Sequence, residues 1–139
     1  MNAEIFRKYT DPETFERIVD YPNVTAMWQH SVATYPDTVA VMDNGRTYTY
    51  AELDAEVAAF RAVLHENGIT PGCLVGILCP NSFEFVKAYL ACATCGVPSV
   101  LMPAHLDEKT VYGMSMMFGM KAVIYHEALV EKVAIIKQT

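Results

Sequence analysis

The stretch from Thr47 to Ala104 alternates between two hydrophobic patterns, and that alternation restricts the fold more than any other feature of the chain. Tyr50, Leu53, Val57, Phe60 and Leu64 recur at helical spacing, with Glu52, Asp54, Glu56, Arg61 and Glu66 on the opposite face. Leu74 to Leu78 is then an unbroken apolar run, the pattern of a strand covered on both faces. A second helical stretch, from about Ser82 to Cys95, is apolar almost all round. Only Glu84, Lys87 and Thr94 seek water there, so this helix is expected to be buried between layers. Val97 to Met102 is a second apolar run and is expected to form a second buried strand. Strands alternating with helices predict an α/β fold: layered, with a mostly parallel sheet flanked by helices.

The flanks carry local signals. Asp11-Pro12-Glu13 predicts a short helix reaching about Ile18 or Asp20, and Pro22 breaks it. Asn23 caps a helix from Val24 to about Thr34, which ends because Tyr35 precedes Pro36. Thr38–Met42 and Arg46–Thr49, joined by Asp43-Asn44-Gly45, predict an N-terminal β-hairpin, since Asn and Gly tolerate positive φ. Thr49 and Glu52 have the spacing of a capping box, and Gly68 is placed to close the helix in a left-handed conformation. Asn81 with Glu84 is expected to cap the second apolar helix. Beyond Pro103, Asp107 caps a helix to about Phe118, Ala122–Tyr125 is a third strand, and Glu127–Lys137 reads as a last helix.

At 139 residues the chain is one domain or one piece of a larger one, and it can bury roughly two thirds of its unfolded surface. The net charge of −6 is spread through interspersed acids and bases without a basic stripe, which excludes nucleic acid as an expected partner. The start, MNAEIFRKYTDPETFER, is charged and lacks the apolar core of a secretory signal, and no apolar run approaches the ~20 residues of a membrane span. A cytoplasmic location is therefore expected. Cys73, Cys79, Cys92 and Cys95 lack metal-knuckle spacing, and the last two sit near the end of a helix rather than at its start. They read as buried structural thiols.

In an open α/β sheet, ligands lie beyond the carboxyl ends of the strands. Here those ends are Cys79-Pro80-Asn81-Ser82, Pro103-Ala104-His105 and Tyr125-His126. Asn81, Ser82 and His105 are the candidate ligand contacts, although helix capping accounts for the first two and a surface loop for the third. The chain contains no Walker-type phosphate loop, no Gly-x-Gly-x-x-Gly and no serine nucleophile elbow, and its histidines have no metal-ligand spacing. Met114, Met116, Met117 and Met120 read as packing residues, with a flexible apolar site as the alternative.

Two segments carry a resemblance. TYTYAEL, at Thr47–Leu53, resembles the first core motif of the adenylate-forming (AMP-binding) superfamily. GILCPNSFEFVKAYLACATCGVPSVLMPA resembles its second core region, and Pro36-Asp37 with Val39-Ala40-Val41 resembles its entry strand. The likeness covers residues 24–126 and is closest to bacterial acyl-CoA synthetases such as fatty-acid–CoA ligases, leaving residues 1–23 as an N-terminal extension. It implies that the chain is the first part of that family's large N-terminal domain. It further implies a parent enzyme that joins a carboxylate to ATP with Mg²⁺, releases pyrophosphate, and passes the acyl group to coenzyme A. The family's phosphate loop, metal-binding Glu, ribose-binding Asp and C-terminal Lys all follow the second core region. No catalytic, cofactor-binding or metal residue is therefore carried onto a position here, and the fragment alone is expected to be inactive. Its expected partner is the remainder of its own chain, with self-association through exposed apolar surface as a further expectation. An adenylation domain of a peptide synthetase and a stand-alone α/β binding module are the alternatives.

Overall fold

The computed structural model describes residues 7–16 and 21–136. Its helices are α1 (Pro12–Glu16), α2 (Val24–Thr34), α3 (Tyr50–Glu66), α4 (Phe83–Thr94), α5 (Glu108–Met117) and α6 (Val130–Val133), the last preceded by a 3₁₀ turn at Glu127–Leu129. Its strands are β1 (Val39–Asp43), β2 (Arg46–Thr49), β3 (Val75–Leu78), β4 (Ser99–Met102) and β5 (Ala122–Tyr125). The expected continuation of the first helix to Ile18 or Asp20 lies outside the described residues, and the last helix breaks into a 3₁₀ and an α turn.

The hairpin forms as its turn dictates. Asn44 and Gly45 take φ of 48° and 79°, and Asp43 pairs directly with Arg46 across them. This two-residue turn with both central φ positive matches the twist of the strands it joins. The capping box at the start of α3 is complete, with Glu52 N–H donating to Thr49 Oγ1 at 3.2 Å and Thr49 N–H donating to Glu52 at 2.8 Å. Asp107 caps α5 by accepting from the N–H groups of Lys109 and Thr110, each at 3.0 Å.

The parallel sheet has the order β4-β3-β5. Val75 of β3 pairs with Ser99 on one side and Ala122 on the other, and the register runs in step to Leu78. Alternation along β3 divides its side chains between two cores. Val75 and Ile77 join Trp28, Leu53, Val57, Leu64, Ala88, Ala91 and Cys92 beneath α2, α3 and α4. Leu78 joins Met102, Val111 and Val133 beneath α5 and α6. Gly76 shares this second side, where an added Cβ would lie 2.5 Å from Met102 Cε and 2.9 Å from Met120 Sδ. Two methionine tips therefore fill the space that a side chain on the central strand would take.

Two expectations need correction. Val97–Met102 is not a second buried strand: β4 is an edge strand, and Leu101 is 47% exposed. A continuous apolar run does not reveal how many neighbours a strand has, and only the central β3 is covered on both faces. Nor is α4 enclosed between layers. Phe83, Ala88, Ala91 and Cys92 are buried, while Phe85, Val86 and Leu90 are half-buried and Tyr89 is exposed.

The start of α4 is also held from a distance. Asp43, at the end of β1, accepts a hydrogen bond from Phe83 N–H at 3.1 Å, and the Tyr48 ring stacks on Phe83 at 3.7 Å between centroids. A carboxylate at a helix N-terminus satisfies an otherwise orphaned donor and faces the positive end of the helix dipole. Asp43→Ala is expected to destabilise the 139-residue chain by about 1–2 kcal/mol in urea unfolding, the size of a lost helix cap. Asp43→Asn, which keeps an acceptor, should recover about half of the loss; an Asn variant as unstable as Ala would show that the contact contributes through packing alone.

Candidate functional site

The carboxyl ends of β3 and β5 open into a cleft of about 450 Å³. Cys79 and Tyr125-His126 form its sheet end, α4 contributes Glu84, Lys87 and Ala88, and α3 contributes Phe60. The topology brings these groups together: both parallel strands end there, and α4 returns across the opening from β3.

Two charged groups of the cleft, Lys87 and Glu84, are engaged with each other. Lys87 Nζ lies 2.6 Å from Glu84 and 3.6 Å from Glu56, and its side chain is only 15% exposed. It also lies over the rings of Phe83 and Phe60, at 5.6 and 5.9 Å from their centroids. The sequence places Lys87 among the water-seeking residues of the helix, whereas its apolar stem is packed and its ammonium is spent on two glutamates. Thr94 likewise turns inward, its hydroxyl donating to Leu90 O at 2.6 Å. His126 Nδ1 accepts from Ala128 N–H at 3.2 Å and caps the 3₁₀ turn.

The two buried thiols are not activated for chemistry. Burial pushes Cys79 upward against an opposing pull from the His126 N–H, and the charge of Glu84 adds a lesser push upward. Burial pushes Cys92 up to about 12, with Cys95 adding. Both therefore remain protonated at neutral pH and pack as small apolar groups, in agreement with their reading as structural thiols. Cys73 and Cys95 are only half-buried, and Cys73 is drawn downward by its hydrogen bonds to Thr70 and, to a smaller extent, by Lys121. All four are free thiols.

None of the three candidate contacts lines the cleft. Ser82, not Asn81, is the N-cap of α4: its hydroxyl accepts from Phe85 N–H at 3.3 Å. Asn81 falls one residue too early, because the helix starts at Phe83 and Asp43 takes that residue's N–H. Asn81 and His105 are exposed, and neither lines the cleft. The methionine cluster divides: Met114 and Met120 pack against the second core, while Met116, Met117 and Phe118 are exposed. Sequence reasoning missed Asp43 as a cap, since its partner lies 40 residues away and no spacing rule links them. The Glu84–Lys87 pair was detectable from its i,i+3 spacing.

Among the described residues no cluster of His, Cys, Asp or Glu could hold a metal ion. With Lys87 neutralised and no Gly-rich loop, these residues do not fit a metal-bound nucleotide. The arrangement can hold helices and strand ends in register.

Residues 28–139 match the family model described as AMP-binding enzyme. A salicylyl-CoA synthase / salicylate adenylyltransferase from Streptomyces sp is 38% identical over 80 residues, covering 57% of this chain and 14% of that protein. The nonribosomal peptide synthetase kk1B of Curvularia clavata is 38% identical over 74 residues, covering 51% of this chain and 1% of that protein. The chain thus spans about a seventh or less of the length of these relatives. Among solved structures, the N-terminal domain of FACL13 from Mycobacterium tuberculosis superposes with a TM-score of 0.79 at 26% identity, covering 86% of this chain and 31% of that one. The layered α/β architecture is that of the N-terminal region of adenylate-forming enzymes. A family model that spans four fifths of the sequence, together with this fold, shows that the chain belongs to the AMP-binding enzyme family.

Proposed function

We propose that the chain is the opening scaffold of an ATP-dependent acyl-CoA synthetase. In this reading the parent enzyme joins a carboxylate to the α-phosphate of ATP with Mg²⁺, pyrophosphate leaves, and the thiol of coenzyme A then displaces AMP to give the thioester. The observation that carries it is the family match over residues 28–139, in company with a relative whose stated activities are CoA thioester synthesis and adenylyl transfer. A fatty or aryl acid as substrate and a cytoplasmic setting belong to the same proposal. Residues 1–23 are then an extension preceding the family region at 24–126. The residues here contribute shape: the capped helices and the rigid β3–α4 corner fix a platform, and the groups that handle ATP, Mg²⁺ and coenzyme A lie elsewhere in the parent.

A second reading, an adenylation domain that loads a carrier protein, is favoured by the equal identity to a peptide synthetase. Carboxylate-dependent ATP–pyrophosphate exchange by the full-length gene product, followed by a test of the thiol acceptor, separates the two. The expected result is exchange with fatty or aryl acids and thioester formation on coenzyme A. Transfer to a phosphopantetheinyl carrier and not to coenzyme A would establish the second reading, and no exchange with any carboxylic or amino acid would sink both. The 139 residues alone are expected to be silent in the same assay, and exchange by them would disprove the scaffold assignment.

A further inference from the structure

The turn that ends α4 brings two thiols together. Cys92 lies in the last turn of the helix and Cys95 is its C-cap, with φ of −108° and ψ of 12°. Cys95 N–H donates to Cys92 O at 3.3 Å, and the Cys95 thiol donates weakly to the same carbonyl at 3.5 Å. A turn closed between residues i and i+3 is wound as in a 3₁₀ helix, where the side chains at those two positions eclipse. The Cα atoms at its ends lie under about 7 Å apart, and a disulfide spans about 4.4–6.8 Å. Val97 N–H closes on the same carbonyl at 3.0 Å and Gly96 takes φ of 73°, so the chain leaves the helix at Cys95.

The two thiols differ in access. Cys95 is half-buried, whereas Cys92 has no exposure and packs in the first core. A reagent in solution therefore meets Cys95 first. Cys92 needs no access of its own, because its target is the sulfur of Cys95 in the same turn. Cys73 and Cys79 have no such relation. They flank β3, and at about 3.3 Å per residue of extended chain they lie roughly 20 Å apart.

We infer that Cys92 and Cys95 form a redox-active dithiol, a modification site that low-molecular-weight disulfides of the glutathione type oxidise to an internal bridge, with Cys95 reacting first and Cys92 resolving. The Cys95 thiolate attacks one sulfur of the small disulfide, RSSR. A bond forms between Cys95 and RS, the original S–S bond breaks, and the first RS⁻ leaves and takes up a proton. Cys92 then loses its proton to solvent and attacks the Cys95 sulfur. The protein S–S bond forms and the second RS⁻ leaves, protonated in turn. Two protein thiols are oxidised and one small disulfide is reduced to two thiols, a two-electron exchange.

The pair sits at the negative end of α4. It therefore lacks the thiolate stabilisation that makes some C-x-x-C disulfides strong oxidants. In a reducing compartment the bridge is a transient mark of oxidising conditions rather than a structural staple. It closes the turn that passes α4 to β4, and the inference is independent of the proposed function.

The test incubates the reduced full-length gene product with mixtures of glutathione and glutathione disulfide, quenches with acid, alkylates the free thiols and maps tryptic peptides. Cys92 and Cys95 fall in one peptide, residues 88–109, and Cys73 and Cys79 in another, residues 62–87. The expected product is peptide 88–109 lighter by two hydrogens with neither thiol alkylated, while peptide 62–87 carries at most glutathione on Cys73. In Cys92→Ala the glutathione adduct on Cys95 should persist at least about 10-fold longer than in the unsubstituted protein, since no thiol resolves it. The map of the unsubstituted protein is decisive even if that variant does not fold. A Cys95 that bridges to Cys73, that holds glutathione without proceeding to the bridge, or that stays alkylatable in every mixture would overturn the inference. Equal adduct lifetimes with and without Cys92 would do the same.

Discussion

Leu78→Ala is expected to destabilise the 139-residue chain by about 3–5 kcal/mol, a large part of the 5–15 kcal/mol that holds a domain together. Leu78 is fully buried at the end of the central strand. Among the described residues the second core has three other fully enclosed members, Met102, Val111 and Val133, with a rim of half-buried residues around them. Removing three carbons from so small a cluster loses their transfer free energy and leaves a void. Three of its neighbours belong to separate elements, β4, α5 and α6, each fixed by its own hydrogen bonds, so the gap closes poorly. The cost should therefore fall in the upper part of the range for such truncations. Leu101→Ala, on the neighbouring strand at 47% exposure, is the matched control and should cost less than about 1 kcal/mol. Urea unfolding of both variants makes the comparison. A Leu78→Ala midpoint close to that of Leu101→Ala would mean that α5 and α6 do not form a packed layer.

The contrast between these two leucines also shows what was legible in the sequence. Three features held by contacts within three or four residues of themselves were readable: the Asn44-Gly45 turn, the Thr49–Glu52 box and the Asp107 cap. The turn rests on positive φ and the two caps on backbone donors that a nearby side chain satisfies, so local chemistry decides them. Covering was not readable. Leu78 and Leu101 both lie in continuous apolar runs, and only the sheet order makes one interior and the other an edge. The position of the α4 cap depended on a distant choice as well. Asn81 and Ser82 are equally good caps by type, and Ser82 takes the role with the helix beginning at Phe83, where Asp43 comes in from the hairpin. The cleft was legible in location, since parallel strands place their carboxyl ends together. Its chemistry was not, because the partners of Lys87 come from two helices.

Cys92 carries the second large effect, which appears at alkaline pH. Its side chain has no exposure, and burial raises the thiol from an ordinary value of 9.0 to about 12. Below pH 9 the thiol is protonated in both the folded and the unfolded chain, and its titration contributes nothing to the stability difference. Between pH 9 and 12 the unfolded chain releases this proton and the folded chain holds it. The folded state then binds more protons, so stability falls as pH rises, by about 1.4 kcal/mol per unit. The loss reaches about 2 kcal/mol at pH 10.5 and about 4 kcal/mol by pH 12. Cys79 is raised by the same cause and adds in the same direction. Lysines and tyrosines also titrate in this window, so the informative quantity is the difference from Cys92→Ala. That variant gives up some packing at every pH, but its stability should decline more shallowly above pH 9. Urea unfolding of both proteins from pH 8 to 10.5 should show their curves converging by about 2 kcal/mol. Parallel curves would mean that the thiolate of Cys92 is solvated in the folded chain. A thiol reagent at pH 8 gives an independent check: Cys73, half-buried and drawn downward by Thr70, should react first, and Cys92 only as fast as the chain unfolds.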